Sequence, residues 1–222
     1  MGLVGMSDFA ARRVIMVDTQ VRPADVTKFP IIDAMLTIKR EDFVPAALRE
    51  AAYVGENLEI GDNRVMLEPR TFAKMLDMLN IAPHELVLDV GAAHGYSAAV
   101  ISRLAQAVVA LEDDADLSKD AEDALIEAGI DNVATHEGPL TEGAADLGPY
   151  DVIIVEGGIN TLPAALADQL KENGRVGALF MEGALGEVRL GQKLNGRIVW
   201  RRAFNAGAPV LPGFDAQSAF QL

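Results

Sequence analysis

"LVLDVGAAHGYSAAV", residues 86–100, decides how the rest of the chain is read. An apolar run closes on Asp89-Val90, a turn with glycines at 91 and 95 follows, and a helix of small residues opens near Tyr96. Glycine lets the backbone turn left-handed and approach a ligand closely. A helix N-terminus offers free N–H groups to an anion. The stretch therefore has the form of a strand, a cradle and a helix. Its glycines do not fit G-x-G-x-x-G: counted from Gly91, the second and third fall on Ala93 and Tyr96. That spacing argues against a nicotinamide oxidoreductase. The turn instead matches G-x-G-x-G with Ala93 at the middle position. If Ala93 takes a positive φ, alanine there costs about 1–2 kcal/mol.

Further along the chain, apolar and β-branched runs recur at 107–111, 132–135, 151–155 and 175–180, separated by helical stretches at 97–106, 116–128 and 163–172. Strands alternating with helices predict a parallel sheet covered on both faces, with ligands bound beyond the C-terminal strand ends. "EVRLGQKLNGRIVWRRAF" (187–204) holds two alternating runs around Asn195-Gly196, a strong hairpin signal. The expected fold is α/β and Rossmann-like: a mostly parallel seven-stranded sheet ending in an antiparallel hairpin, the layout of class I methyltransferases. In such a fold the turn and helix start would serve the methionine carboxylate of S-adenosylmethionine. The candidate cofactor residues are Asp89, Gly91, Ala92, Ala93, Gly95, Tyr96 and Gly138. Glu112 ends the second run about 20 residues on, where an acid can accept both ribose hydroxyls.

Residues 1–80 read as a helical segment with a substrate loop, and 81–222 as the cofactor-binding domain, the two forming one compact unit. Helices are expected over 7–21 (capped by Ser7), 29–38, 40–54 beyond Pro45, and 69–80, with Phe72, Met75, Leu76 and Leu79 on one face. Residues 57–69 read as extended or loop.

The 222 residues carry a formal charge of −14, concentrated after residue 80, which disfavours a nucleic-acid partner. There is no cysteine, so disulfides and a thiol nucleophile are excluded. The three histidines share no ligand spacing, and no metal is expected. No segment reaches the ~18 apolar residues of a membrane span. The start "MGLVGMSDF" fits neither a signal peptide nor, with Met6 where Ser or Thr is needed, a myristoylation motif. The chain reads as soluble and cytoplasmic; its oligomeric state is not legible.

Three stretches in order resemble the protein-L-isoaspartate O-methyltransferases. They are "KREDFVPAALREAAYVGENLEIG" (39–61), "VLDVGAAHGYSAAVIS" with its Gly95-Tyr96, and "YDVIIVEGGINTLPAALADQLKENGRV" (150–176) with Tyr150, Asp151, Pro163, Leu166, Gln169, Leu170 and Gly174. The resemblance implies methyl transfer from S-adenosylmethionine to the α-carboxylate of isoaspartyl residues in damaged proteins. The ester then collapses to a succinimide that reopens partly to aspartate. The substrate loop would include Leu67, Glu68 and Pro69. Leu67 stands where the family carries Ser or Thr, and Pro139, after Gly138, where it carries an acid near the adenine. A carboxylate acceptor needs alignment and desolvation rather than a general base. The alternative reading is a non-catalytic or altered-substrate member that binds the cofactor or a protein partner.

Other residues carry lesser expectations. His94 reads as a solvent-facing turn residue that could touch the cofactor, and His84 and His136 as structural or exposed. Asp113 and Asp114 read as charging the next helix's start. Arg64 reads as a solvated loop residue able to pair an acidic substrate group. Glu156 is read as facing the region of methyl transfer or lying on the surface. The Met75–Met78 pair and Trp200 are expected in packing.

Overall fold

The computed structural model describes residues 6–215, with side chains from Asp8. The readings of residues 1–5 as lacking a signal peptide and a myristoylation motif, and of Ser7 as a cap, lie outside these. Among the described residues no helix is long and apolar enough to cross a membrane.

The apolar runs become strands. β3 (Leu86–Val90), β4 (Ala107–Glu112), β5 (Val133–Glu137), β6 (Tyr150–Ile159) and β7 (Leu170–Glu182) are parallel, and β8 (Leu185–Leu194) and β9 (Arg197–Asn205) complete the sheet antiparallel. The strand order is β5-β4-β3-β6-β7-β8-β9. The chain leaves β3 toward one edge and returns at β6 on the other side, so the order reverses between β3 and β6. That reversal opens a crevice toward their C-terminal ends, where Gly91 follows β3 and Gly157 lies near the end of β6. Asn195 (φ 52°) and Gly196 (φ 74°) turn β8 into β9 with the two positive φ values of a type I′ hairpin.

Helices α3 (Pro69–Leu79), α4 (Tyr96–Ser102) and α5 (Ala115–Glu127) belong to this scaffold. The α3 stripe packs as its periodicity predicts: Phe72, Met75, Leu76 and Leu79 are fully buried, and Met78 lies at the margin of the same core. The approach is close enough that a Cβ at Gly177 of β7 would meet Leu79 Cδ1 at 3.1 Å. Asp114 caps α5 by accepting from Asp116 N at 2.9 Å and Leu117 N at 3.1 Å. Trp200 packs edge-on against Phe180, centroids 4.8 Å apart.

Three expected helices are corrected. Over 40–54 there are two short 3-10 turns, Arg40–Phe43 and Ala46–Ala51. Pro45 forces Val44 extended (φ −136°, ψ 154°), which separates them. The helix expected over 163–172 is only α6, Ala164–Asp168. Gln169 ends it, accepting from Ala144 N at 3.0 Å and donating to Glu142 O at 2.6 Å, while Leu170 already pairs with Tyr150 in the sheet. The helix expected over 97–106 stops at Ser102. The first expected helix is α1 (Met6–Met16), continued by a π turn over Val17–Val21; α2 spans Phe29–Thr37. Residues 57–69 form the small antiparallel pair β1 (Leu58–Gly61) and β2 (Arg64–Met66) before α3.

Candidate active site

The turn after β3 is left-handed at three of its five residues: Gly91 (φ 78°), Ala93 (φ 49°) and Gly95 (φ 88°). Ala93 thus carries the strain that glycine would avoid. Gly91 and Gly95 are also closely approached. A Cβ would meet Leu211 Cδ1 at 3.2 Å in the first case and Ala121 Cβ at 3.2 Å in the second. Leu211 is held there by the segment after β9, where Leu211 N donates to Gly158 O at 2.9 Å and Gly158 N to Pro209 O at 2.8 Å.

Asp89 lies at the end of β3 with no exposure. Its Oδ2 accepts from Ser97 Oγ at 2.6 Å, and its Oδ1 has no partner. Burial pushes its carboxyl up to about 7; the Ser97 hydroxyl opposes the rise and the nearby Glu112 charge adds to it. Glu112, at the end of β4, is saturated. It accepts from Ala93 N (2.8 Å), Asp113 N (3.0 Å) and Asp114 N (3.3 Å), and from Arg64 Nη2 (2.8 Å). Burial works against its charge, but the Arg64 guanidinium outweighs that and holds the carboxyl below the ordinary range.

Arg64 is the chief correction to the sequence reading. It is buried rather than solvated, and its guanidinium bridges Glu112 and Asp113. Asp113 therefore pairs with Arg64 instead of charging the start of α5. His94 is also buried, with Nε2 unpartnered and Nδ1 3.5 Å from Asp120. His84 is exposed and His136 half-buried. Glu156, within β6, is buried, and its Oε1 has no partner. Burial and the Asp89 charge push its carboxyl well above the usual range, against the pull of Arg40.

Part of this set lines one cavity, while Asp89, Gly95, Glu112 and Gly138 lie outside its lining. Gly91–His94, Tyr96, Ser97, Glu156 and Leu67 line it together with Arg40, Ile60, Val65, Met66 and Phe72, and it encloses about 20 Å³. That is room for about one water molecule. Leu67 is buried in the hydrophobic core, its carbonyl accepting from Arg40 Nη2 at 2.7 Å. Glu68 and Pro69 start α3 beside it, and Glu68 Oε1 accepts from Thr71 Oγ1 at 2.5 Å. Gly138 N donates to Glu112 O at 3.0 Å, which ties the β5 end to the β4 end. Pro139, on the surface, has no N–H to offer.

Arg40 and Ser97 escaped the sequence reading. Ser97 stands eight residues after Asp89 in a helix start, which gave no local signal. Arg40 sits in a charged tripeptide, Arg40-Glu41-Asp42, that looks solvated. Arg40 and Glu41 are nonetheless buried, and Glu41 is held by Arg13 (3.1 Å) and the Tyr53 hydroxyl.

Comparison with known proteins bears on this geometry. The family model "Protein-L-isoaspartate(D-aspartate) O-methyltransferase (PCMT)" matches residues 15–199. The chain is 37% identical over 171 residues to a protein-L-isoaspartate O-methyltransferase of Koribacter versatilis (strain Ellin345), covering 77% of each. It is 36% identical over 194 residues to one of Syntrophus aciditrophicus (strain SB), covering 86% of this chain and 89% of the relative. A solved protein-L-isoaspartate O-methyltransferase superposes with a TM-score of 0.77 at 25% identity, over 91% of this chain and 65% of that one. A structure from Plasmodium falciparum, described as a putative protein-L-isoaspartate O-methyltransferase in complex with S-adenosyl-L-homocysteine, shares the fold at TM-score 0.76 and 20% identity, over 91% and 97%. With the class I sheet and the glycine turn at its switch point, these matches establish that the chain belongs to the protein-L-isoaspartate(D-aspartate) O-methyltransferase family.

Proposed function

We propose that this protein is an S-adenosylmethionine-dependent carboxyl methyltransferase acting on isoaspartyl sites of proteins and peptides in the cytoplasm. The observation that carries the reading is the left-handed cradle of residues 91–95 at the switch point, ringed by buried polar atoms that lack partners. Such atoms are rare in folded proteins, and a cluster of them suits a polar ligand. The donor set fits the cofactor. Asp89 Oδ1 suits the amino group, the N–H groups of the turn and the start of α4 suit the carboxylate, and Glu112 suits the ribose hydroxyls. Ala92, Ala93, Tyr96 and Gly138 complete the wall. When bound, the cofactor would supply an electrophilic sulfonium methyl group for transfer to a substrate carboxylate oxygen.

The chain's own residues orient and desolvate. Asp89 and Glu112 carry the charge that matches a cationic, hydroxyl-bearing ligand. Leu67, Phe72, Val65 and Met66 exclude water from the acceptor side, which strengthens every polar contact there. We read residues 1–80 as the substrate segment and 81–222 as the cofactor-binding domain. Because the cavity holds about one water and Arg64 sits on Glu112, loading requires the β1–β2 hairpin to shift.

The test is calorimetric titration with S-adenosylhomocysteine, with NAD as control, followed by methyl transfer to an isoaspartyl peptide read as base-labile ester. Micromolar binding of the first ligand alone, with ester formed, is expected. Binding without ester at high enzyme concentration would reject isoaspartyl repair and favour an altered-substrate or non-catalytic member, the reading that Leu67 suggests.

A further inference from the structure

Arg40 is a buried cation with no carboxylate bonded to it. Its side chain is 1% exposed. Nε donates to Ala52 O at 2.6 Å and Nη2 to Leu67 O at 2.7 Å, both neutral acceptors. The guanidinium is fixed by these two bonds and by the Tyr96 ring, whose centroid lies 4.8 Å from Cζ. Nη1 is left without a partner. A buried charge in this state is costly unless something neutralises it.

The neighbouring groups share the same lack. The Tyr96 hydroxyl and Glu156 Oε1 have no partner either, and all three residues line the one cavity against the apolar wall of Leu67 and Phe72. Arg40 and Tyr96 perturb one another's charge, yet neither Nη1 nor the hydroxyl forms a regular hydrogen bond. Burial and the Asp89 charge push Glu156 toward its neutral acid, against the pull of Arg40, and in that form it donates. A guanidinium N–H, a phenol and a carboxylic acid around one small space are three donors awaiting an acceptor with a negative charge.

We propose that Arg40, Tyr96 and Glu156 form the receptor for the substrate's methyl-accepting carboxylate. This rests on the carboxyl-methyltransferase reading above. One carboxylate oxygen takes the donors, and the other is left for the methyl group. Arginine suits the task because its planar fork, already anchored at two nitrogens, loses little freedom on binding. Methylation removes the acceptor's charge, so the ester no longer neutralises Arg40, which favours product release.

The experiment compares an isoaspartyl peptide with the same peptide bearing an amide in place of the α-carboxylate, each titrated into the protein saturated with S-adenosylhomocysteine. The proteins are wild type, Y96F, E156M and R40K. Because R40K also disturbs two structural bonds, Y96F and E156M, each of which removes a donor, carry the decision, and S-adenosylhomocysteine binding confirms a folded cradle in each. Wild type is expected to prefer the acid, and each of the two variants to lose about tenfold of that preference, as one hydrogen bond to a charged group predicts. Undiminished preference in variants that still bind S-adenosylhomocysteine would overturn the receptor and leave the function standing. If wild type prefers the acid but forms no methyl ester, the function falls while the receptor stands. If wild type binds acid and amide alike, the receptor falls.

Discussion

Arg64 covers Glu112: Nη2 and Nε lie 2.8 and 3.2 Å from Glu112 Oε1, with both side chains almost wholly buried. The two are 48 residues apart, on the β1–β2 hairpin and at the end of β4. The acid best placed for a ribose is thus already paired by a strong, charge-assisted contact. A ligand that uses Glu112 must first break that pair.

Replacing Arg64 should therefore tighten cofactor binding while weakening the fold. For R64M, calorimetry should give an S-adenosylhomocysteine affinity about tenfold higher, since the ligand no longer displaces a cation. Glu112 keeps three backbone donors, so the stability loss should stay at or below the about 3–5 kcal/mol of a broken buried pair. Unchanged or weaker affinity in a folded R64M would show that Arg64 does not compete for this acid.

Asp89 gives a pH dependence of definite sign. Its carboxyl stands at about 7 in the folded protein, against about 3.9 in an unfolded chain. The native state holds the proton more tightly, so stability falls as pH rises from about 4 to about 7. If the ionised form receives the cofactor's amino group, S-adenosylhomocysteine affinity rises through the same upper range, by up to tenfold per unit below pH 7. Melting temperature and Kd measured from pH 5 to pH 8 should both fall, the protein losing stability as it gains affinity. D89N should flatten both curves; curves that keep their slope would assign the titration elsewhere.

Ala93 stores strain at φ 49°. A93G should relieve about 1–2 kcal/mol of it, offset by about 0.5–1 kcal/mol for the freer unfolded chain. The expected net is a rise of a few degrees or less in melting temperature. A lower melting temperature would mean that the alanine methyl contributes packing worth more than the strain.

Legibility followed the range of the interactions. The strands at 86–90 and 107–112 could be read because β-branched runs and turn glycines are local signals, and Asn195-Gly196 marked its hairpin for the same reason. The twin 3-10 turns around Pro45 could not, because burial of Arg40 and Glu41 against distant backbone decides them. The start of β7 at Leu170 was hidden in the polar Lys171-Glu172-Asn173. At the site, Asp89, Glu112 and the glycine turn stood out by spacing. Arg64 and Arg40 did not: each looks solvated in sequence, and each is buried by a partner 12 to 48 residues away.

Leu67 brings the sequence departure and the buried receptor into one test. The side chain is 2% exposed and belongs to the main core. L67S therefore removes buried apolar volume and should cost about 2–5 kcal/mol. It also supplies the hydroxyl that the family resemblance implies at this position, in the cavity that Arg40 and Leu67 both line. If that hydroxyl were the missing element, kcat/KM for an isoaspartyl peptide should climb well above wild type despite the lost stability. If Arg40, Tyr96 and Glu156 already hold the carboxylate, the new hydroxyl has no oxygen left to satisfy and kcat/KM stays level or drops. The second outcome is expected, with initial rates taken well below the variant's melting temperature so that unfolding does not imitate it. A tenfold or greater gain would mean that the leucine, rather than the receptor, sets the activity of this chain.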